Sequence, residues 1–264
     1  MAERPDLLAN PRADRVRKVA ALAGRSARSR HGQFLVEGPQ AVAELIRFAP
    51  ELVRDVYATA DQGALLDAAR QERLHAHEVS AEVAAAMSTD AQGVLAVANL
   101  PPPVPLSVLE GARLVMLLPS VADPGNAGTL IRIADAAGAD AVVVCRGGVE
   151  VTSPKVVRAS AGSIFHLPVV TGVSFPDAVS AARSAGLVLL GADGGAPLSL
   201  FSEGFEAGRP TAWVFGNEAH GLSAPEREAC DHLVSIPLHG AAESLNVAAA
   251  AAVCMYRSAQ AQRA

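Results

Sequence analysis

Apolar positions along the chain fall into blocks of two kinds. Beyond residue 111, apolar runs recur at 114–118, 141–144, 187–190, 212–215 and 233–236, interrupted only by Ser235. Each is too short for a helix and has no polar alternation, which predicts strands buried on both faces. Between them, spaced apolar residues predict helices over 127–137, 154–163, 176–185 and 244–259. Strand and helix alternating in this way imply an α/β class: a mostly parallel sheet with helices on both faces. The first hundred residues repeat the theme on a smaller scale. A helix is expected over 11–24, with Val16, Val19, Ala20 and Leu22 as an incomplete apolar stripe, followed by a polar, basic loop over 24–32. Strands follow at 33–36, 53–58, 75–79 and 94–98, and helices at 39–48, 64–73 and 81–87. Four prolines between Pro101 and Pro105 cannot continue a helix or a central strand and favour a stiff extended connection. The expected organisation is a small α/β domain over 1–99, a linker over 100–111 and a larger domain over 112–264.

Composition narrows the picture. An apolar fraction of 50% over 264 residues is ample for a buried core. Cys145, Cys230 and Cys254 are far apart and without Cys-x-x-Cys spacing, which argues against a disulfide framework or a zinc site. His75 and His77 share one face of a strand, but no third ligand accompanies them, so no metal is expected. The first residues contain no apolar core of a signal peptide, and no run approaches the roughly 20 residues of a membrane span, so a cytoplasmic protein without a membrane partner is expected. The net charge of −5 excludes nucleic-acid binding by overall charge. A local patch remains: Arg12, Arg15, Arg17, Lys18, Arg25, Arg28 and Arg30 face only Asp14 as an acid.

Candidate chemistry lies in three polar, glycine-bearing strings, each following or ending a predicted strand. They are Asp123-Pro-Gly-Asn-Ala-Gly-Thr-Leu-Ile-Arg132, Phe215-Gly-Asn-Glu-Ala-His-Gly-Leu-Ser223, and the stretch from Ile236 to Asn246. Placed at the ends of parallel strands, all three gather at one sheet edge, where open α/β sheets bind ligands. The chain lacks G-x-G-x-x-G spacing and a phosphate loop, which disfavours a dinucleotide or P-loop site. If Asn126 caps its helix, Arg132 projects from the second turn, within reach of a substrate at the strand ends. Gly216 and Gly221 suit close backbone approach to a ligand. Ser244 and Asn246 open the last helix, where capping accounts for Ser244 better than for Asn246. His220 has no assigned role. Arg158, Ser160 and Gly162 form a further small-residue string, with close helix packing as the default for Ser160 and Gly162.

Together the three strings resemble the SpoU (TrmH-type) RNA ribose 2'-O-methyltransferases of the SPOUT superfamily, through Asn126, Arg132, Gly216, Asn217, Glu218, Gly221, Ser244 and Asn246. The resemblance covers about residues 112–264. Phe34-Leu-Val-Glu-Gly38 also resembles the signature of the ribosomal-protein-like RNA-binding domain that often precedes it. The resemblance implies a knotted C-terminal fold, a homodimer and S-adenosylmethionine held through the main chain at Gly216, Ile236 and Leu245. It implies catalytic positions at Asn126, Arg132, Glu218, Ser244 and Asn246, with Glu218 ordering the arginine and the substrate ribose. Arg132 is the family's proposed general base. A guanidinium is normally a permanent cation, however, so holding phosphate and stabilising the alkoxide is an equal alternative. The basic cluster and Arg158 would contact RNA, more plausibly large-subunit rRNA than tRNA because of the N-terminal domain. A non-catalytic ribosome-binding factor would be expected to have lost Asn126, Arg132, Glu218 or Asn246, and all four are present.

Overall fold

The computed structural model describes residues 7–264. It divides into two compact units, one running to Pro102 and taking in Thr152–His166, the other formed by Pro103–Val151 and Leu167–Ala264.

The first unit has a four-stranded sheet built from β1 (Gln33–Glu37), β2 (Val53–Ala58), β3 (Ala76–Glu78) and β4 (Val94–Asn99), in the order β1-β4-β2-β3. β4 runs antiparallel to both β1 and β2, while β3 is parallel to β2. Its helices are α1 (Asp14–Ala21), α2 (Arg25–His31), α3 (Pro39–Phe48), α4 (Gly63–Gln71) and α5 (Ala81–Met87). The period of two along the strands separates two cores. Phe34, Val36, Val56 and Ala96 join Val42 and Leu45 of α3 and Leu66 of α4 on one face. Leu35, Tyr57, Leu95 and Val97 join Val16 and Val19 of α1 and Val83 of α5 on the other.

The expected basic loop over 24–32 is instead α2. It lies between Gly24 and Gly32, whose φ of 63° ends the helix in the left-handed conformation that glycine adopts without strain. Arg28 of this helix is 4% exposed. It donates to the carbonyls of Leu22 at 3.0 Å and Ala23 at 2.6 Å, satisfying groups at the end of the preceding helix.

The second unit contains a seven-stranded sheet of β5 (Leu114–Leu118), β6 (Ala141–Cys145), β7 (Val169–Val173), β8 (Val188–Ala192), β9 (Leu198–Ser199), β10 (Thr211–Val214) and β11 (His232–Ser235). The order is β7-β6-β5-β10-β8-β11-β9, and every neighbouring pair is parallel. β5, β6 and β10 are buried at every position, as unbroken apolar runs in a doubly covered sheet should be. Its helices are α6 (Pro124–Ala137), α8 (Phe175–Ser184), α9 (Ala224–Glu228) and α10 (Val247–Arg263). α8 contributes Ala178, Val179 and Ala182 to a core with Val115, Leu117, Val143 and Val214. Trp213, adjacent to Val214 in the strand and so on the opposite face, is fully buried and donates its indole N–H to Ser258 of α10 at 2.9 Å. Among the described residues no helix is long and apolar enough to cross a membrane.

The remaining helix, α7 (Pro154–Ala159), belongs to the first unit and packs on β1. A single boundary at the proline linker therefore does not describe the chain, because Thr152–His166 returns to the first unit. The reason is local burial: Val157 joins the α3 and α4 core, with Ile164 and Phe165 packed against it. The expected helix over 154–163 ends at Ala159, and Ala161 adopts a φ of 50° before a 3-10 turn at Ser163–Phe165.

Candidate active site

The site begins with the local chemistry of α6. Asp123 is its N-cap and Pro124 its first residue; an Asp123 carboxylate oxygen accepts the Asn126 amide at 2.8 Å. Proline tolerates that position because its missing N–H would be unpaired there in any case. The cap anticipated for Asn126 is thus supplied by Asp123, which leaves the Asn126 side chain available. Its Nδ2 donates to Glu218 Oε1 at 3.3 Å, and its Oδ1 accepts from Asn246 Nδ2 at 3.3 Å. Asn246 in turn caps α10, its Oδ1 accepting the Ala248 amide at 2.8 Å. Capping anticipated for Ser244 falls to Asn246, so one asparagine both starts the helix and joins the polar chain.

Glu218 is the hub. Its carboxylate also accepts the amides of Asp123 at 3.0 Å and Ala122 at 3.2 Å. Burial pushes this carboxyl up, but hydrogen bonds from the main chain, including Asp123 and Ala122, and from Asn126 outweigh it and hold the group below the ordinary glutamate range. Asn217 braces the same loop, donating to the Ser120 carbonyl at 3.2 Å and accepting the Ala219 amide at 3.0 Å. Reciprocal main-chain bonds between Asn217 and Gly221, at 2.9 and 2.8 Å, close it. His220 points a ring nitrogen at Asn217 Oδ1, 3.2 Å away.

Beside this loop lies a cleft of about 300 Å³, lined by Gly216, Glu218, Ile236, Ser244 and Leu245 among others. The main-chain groups of Gly216, Ile236 and Leu245 make no hydrogen bond with any described residue. Gly216 is buried and Ile236 half-buried, where main-chain donors and acceptors rarely go unmatched, while Leu245 is exposed at the rim, so the cleft presents groups suited to a polar ligand between apolar walls. Gly216 has a second requirement: a Cβ there would collide with the Gly221 carbonyl and lie 2.6 Å from the Leu222 nitrogen. The cleft also holds an ion pair that the sequence reading missed, between Asp193 and Arg227. Asp193 follows the apolar run of β8 directly, and that position at a strand end was the available signal.

Other positions do not converge. Arg132 is exposed and makes no hydrogen bond or ion pair with any described residue. Arg158 is engaged within the first unit, its Nη1 lying 2.8 Å from both the buried Glu37 and Asp90. These two ion pairs tie α7 to β1 and to the segment before β4. In the basic cluster Arg28 is buried, Arg17 pairs with Asp14, and Arg15 lies 3.4 Å from Asp55. Arg12, Lys18, Arg25 and Arg30 are exposed. Burial raises all three thiols, Cys145, Cys230 and Cys254, to about 12, which removes them as thiolate nucleophiles.

Comparison with known proteins agrees with this geometry. Residues 113–256 match the SpoU rRNA Methylase family, and residues 13–96 match the MRM3-like substrate binding domain. A 23S rRNA (guanosine-2'-O-)-methyltransferase, RlmB of Bordetella pertussis, is 35% identical over 85% of this chain and 96% of its own. The 23S rRNA (uridine(2479)-2'-O)-methyltransferase of Streptomyces viridochromogenes is 34% identical over 90% of this chain and 86% of its own. Among solved structures, the SpoU methyltransferase AviRb of Streptomyces viridochromogenes, in complex with the cofactor AdoMet, superposes with a TM-score of 0.81. It is 32% identical, covering 95% of this chain and 99% of that one. With the three polar strings joined by hydrogen bonds at one sheet edge and the family match spanning the unit that carries them, the chain belongs to the SpoU rRNA methylase family.

Proposed function

We propose that this protein transfers a methyl group from S-adenosylmethionine to a ribose 2'-hydroxyl of large-subunit ribosomal RNA. The observation that carries the reading is the polar chain Glu218–Asn126–Asn246, set beside a cleft whose Gly216, Ile236 and Leu245 main-chain groups have no partner within the described chain. S-adenosylmethionine, when bound, supplies an electrophilic methyl group. The residues present fit it: main-chain donors and acceptors for its polar atoms, Leu238 and Val247 as apolar surface, and Ser244 as a hydroxyl at the cleft.

The chain's own contribution is orientation and charge. Glu218, already anchored by two amides, holds Asn126 in place, and Asn126 holds Asn246; the three form a rigid edge against which a ribose can be positioned. Arg132, a cation with no ion pair to any described residue, stands on the same helix as Asn126, six residues on and about 9 Å along its axis. We assign it to the substrate phosphate and the developing 2'-alkoxide, with water accepting the proton, because a guanidinium is a poor base.

Ribosomal RNA is favoured over tRNA by the N-terminal unit, which matches a substrate-binding domain model. The base stays open, since relatives of nearly equal similarity are named for guanosine and for uridine. A homodimer acting in the cytoplasm completes the reading, as the family resemblance implies. Light scattering at micromolar concentration should give twice the monomer mass. The deciding experiment incubates the protein and S-adenosylmethionine with 23S rRNA or bulk tRNA and maps alkali-resistant linkages. One resistant linkage in 23S rRNA is expected. Modification confined to tRNA would favour the tRNA alternative, and none in either RNA would favour a non-catalytic ribosome-binding factor.

A further inference from the structure

The first unit contains a cleft of about 420 Å³ that none of the polar strings reaches. Its volume falls within the roughly 300–1,000 Å³ of small-ligand sites. Arg15 and Lys18 of α1 and Arg54 and Asp55 of β2 line it, with Leu22 and Val97 as apolar wall. Three permanent cations thus face one carboxylate.

Asp55 is the unusual member. Its side chain is only 13% exposed, against 49% for Arg15 and 58% for Arg54. Oδ1 accepts from His77 Nε2 at 2.8 Å and from Arg15 Nη2 at 3.4 Å. Arg54 Nε stands 3.6 Å from Oδ2, an ion pair beyond hydrogen-bond reach, and Oδ2 accepts no hydrogen bond from any described residue. Burial pushes the carboxyl up, yet the His77 bond together with Arg15 and Arg54 outweighs it and holds the group below the ordinary aspartate range. The cleft therefore keeps an ionised oxygen with a free acceptor site among cations. Oδ2 is not one of the fully buried unpaired atoms among the described residues, so water reaches it from the cleft, and a ligand donor can take that water's place. A free anion would meet Asp55 as well as the cations, and a lone cation would meet Arg15, Lys18 and Arg54. A molecule that carries a phosphate and a neutral N–H donor on one short frame satisfies both.

We propose that this cleft receives one unstacked nucleotide of the RNA substrate, with its phosphate on Lys18 and Arg54 and the amino edge of its base on Asp55 Oδ2. The proposal rests on the RNA-directed reading above and adds a base preference to it. Single-stranded RNA is read by hydrogen bonds to splayed base edges while phosphate contacts carry no sequence information. Cytosine presents its N4 amino group to a carboxylate. Uracil has a carbonyl at the same position, and its only ring N–H is flanked by two carbonyl oxygens that a carboxylate repels. Amino-bearing bases should enter; uracil should be rejected.

The test uses the full-length protein and fluorescein-labelled rC6 and rU6, a pair that differs only at this edge, with fluorescence anisotropy at fixed salt. The parent should bind rC6 about tenfold more tightly than rU6, the order expected for one hydrogen bond to a charged group. Lys18→Ala and Arg54→Ala, both surface truncations, should weaken both oligonucleotides by the same factor and leave the ratio intact. Asp55→Asn should bring the ratio to within twofold, because an amide donates to the uracil carbonyl. Equal binding of rC6 and rU6 by the parent overturns the proposal without any variant, and so does parental affinity in Lys18→Ala and Arg54→Ala. Methyl transfer to 23S rRNA by the parent is measured alongside. Transfer with equal rC6 and rU6 binding rejects the pocket alone, whereas absence of transfer with the preference present rejects the enzymatic reading and keeps the pocket.

Discussion

Glu218 shows how one side chain can serve structure and site together. Its two oxygens take the Ala122 and Asp123 amides as well as Asn126 Nδ2, so the residue ties the loop after β10 to the start of α6. Glu218→Gln keeps the size but replaces one acceptor by a donor, setting an NH2 against an N–H. Ala122 and Asp123 are exposed, so water relieves much of the loss, and a cost of about 1 kcal/mol is expected, at the low end for an unpaired group. Urea unfolding at neutral pH measures it. The carboxyl is held below its ordinary range, so its contribution is complete above the unfolded value of about 4.3 and is lost as pH falls through the lower folded value. The stability gap between parent and Glu218→Gln should close over that acidic window and stay constant above it; a gap independent of pH would mean the charge is not what the loop uses. Arg132 presents the opposite case, a side chain with no structural duty. Arg132→Ala should leave the melting temperature and cofactor affinity close to parental values while methyl transfer falls by at least about 10²-fold. Single-turnover transfer rates near the parent's would show Arg132 to be a bystander.

Among the elements, the loop from Gly216 to Gly221 changes an expectation. From the sequence, Gly216→Val is expected to block a ligand and leave the protein folded. The structure gives the glycine a prior duty, since a Cβ would strike the Gly221 carbonyl within the loop itself. Even Gly216→Ala should therefore destabilise by about 1–3 kcal/mol, the cost of overpacking, and lose cofactor affinity with it. Differential scanning calorimetry beside cofactor titration separates the outcomes; loss of binding at an unchanged melting temperature would restore the simpler view. Strands with a mostly apolar run were legible: β5, β6, β8, β10 and β11 lie where those runs predict them. β7 and β9 were missed, for β7 carries exposed Thr171 and Gly172 and β9 is two residues long. α2 was missed because its sequence Arg-Ser-Ala-Arg-Ser-Arg-His has almost no apolar stripe. Gly24 and Gly32, its N-cap and C-cap, are the helix punctuation that the sequence does carry. The polar strings were legible as a group, but their bonding was not: which oxygen of Glu218 takes which amide depends on contacts 92 to 96 residues apart.

At the scale of the molecule, an acidic chain must capture a polyanion. The net charge is −5, so long-range attraction to RNA cannot come from the average and has to come from where the cations stand. Seven cations between residues 12 and 30 are equivalent in sequence; the structure sorts them by burial and pairing. Arg28 serves the α1–α2 connection, Arg17 and Arg15 face carboxylates, Arg25 is exposed but not without a partner, and Arg12, Lys18 and Arg30 are exposed without an ion pair to any described residue. Those last three are the ones free to displace counterions from phosphates. Each contact with a single strand adds about 0.7 to the slope of log K against log salt, so the triple variant Arg12→Ala, Lys18→Ala, Arg30→Ala should flatten that slope by roughly two. Arg28→Ala should instead leave the slope alone and lower the melting temperature, because it strips two carbonyls of a buried donor. Cofactor affinity should be unchanged in the triple variant, since the cofactor cleft and the cations belong to different units. Titrations of a labelled rRNA fragment between 50 and 200 mM salt, roughly the range over which phosphate-driven affinities fall most visibly, decide the matter. If the triple variant keeps the parental slope while Arg28→Ala flattens it, the sorting by burial is wrong and the phosphate contacts lie elsewhere on the chain.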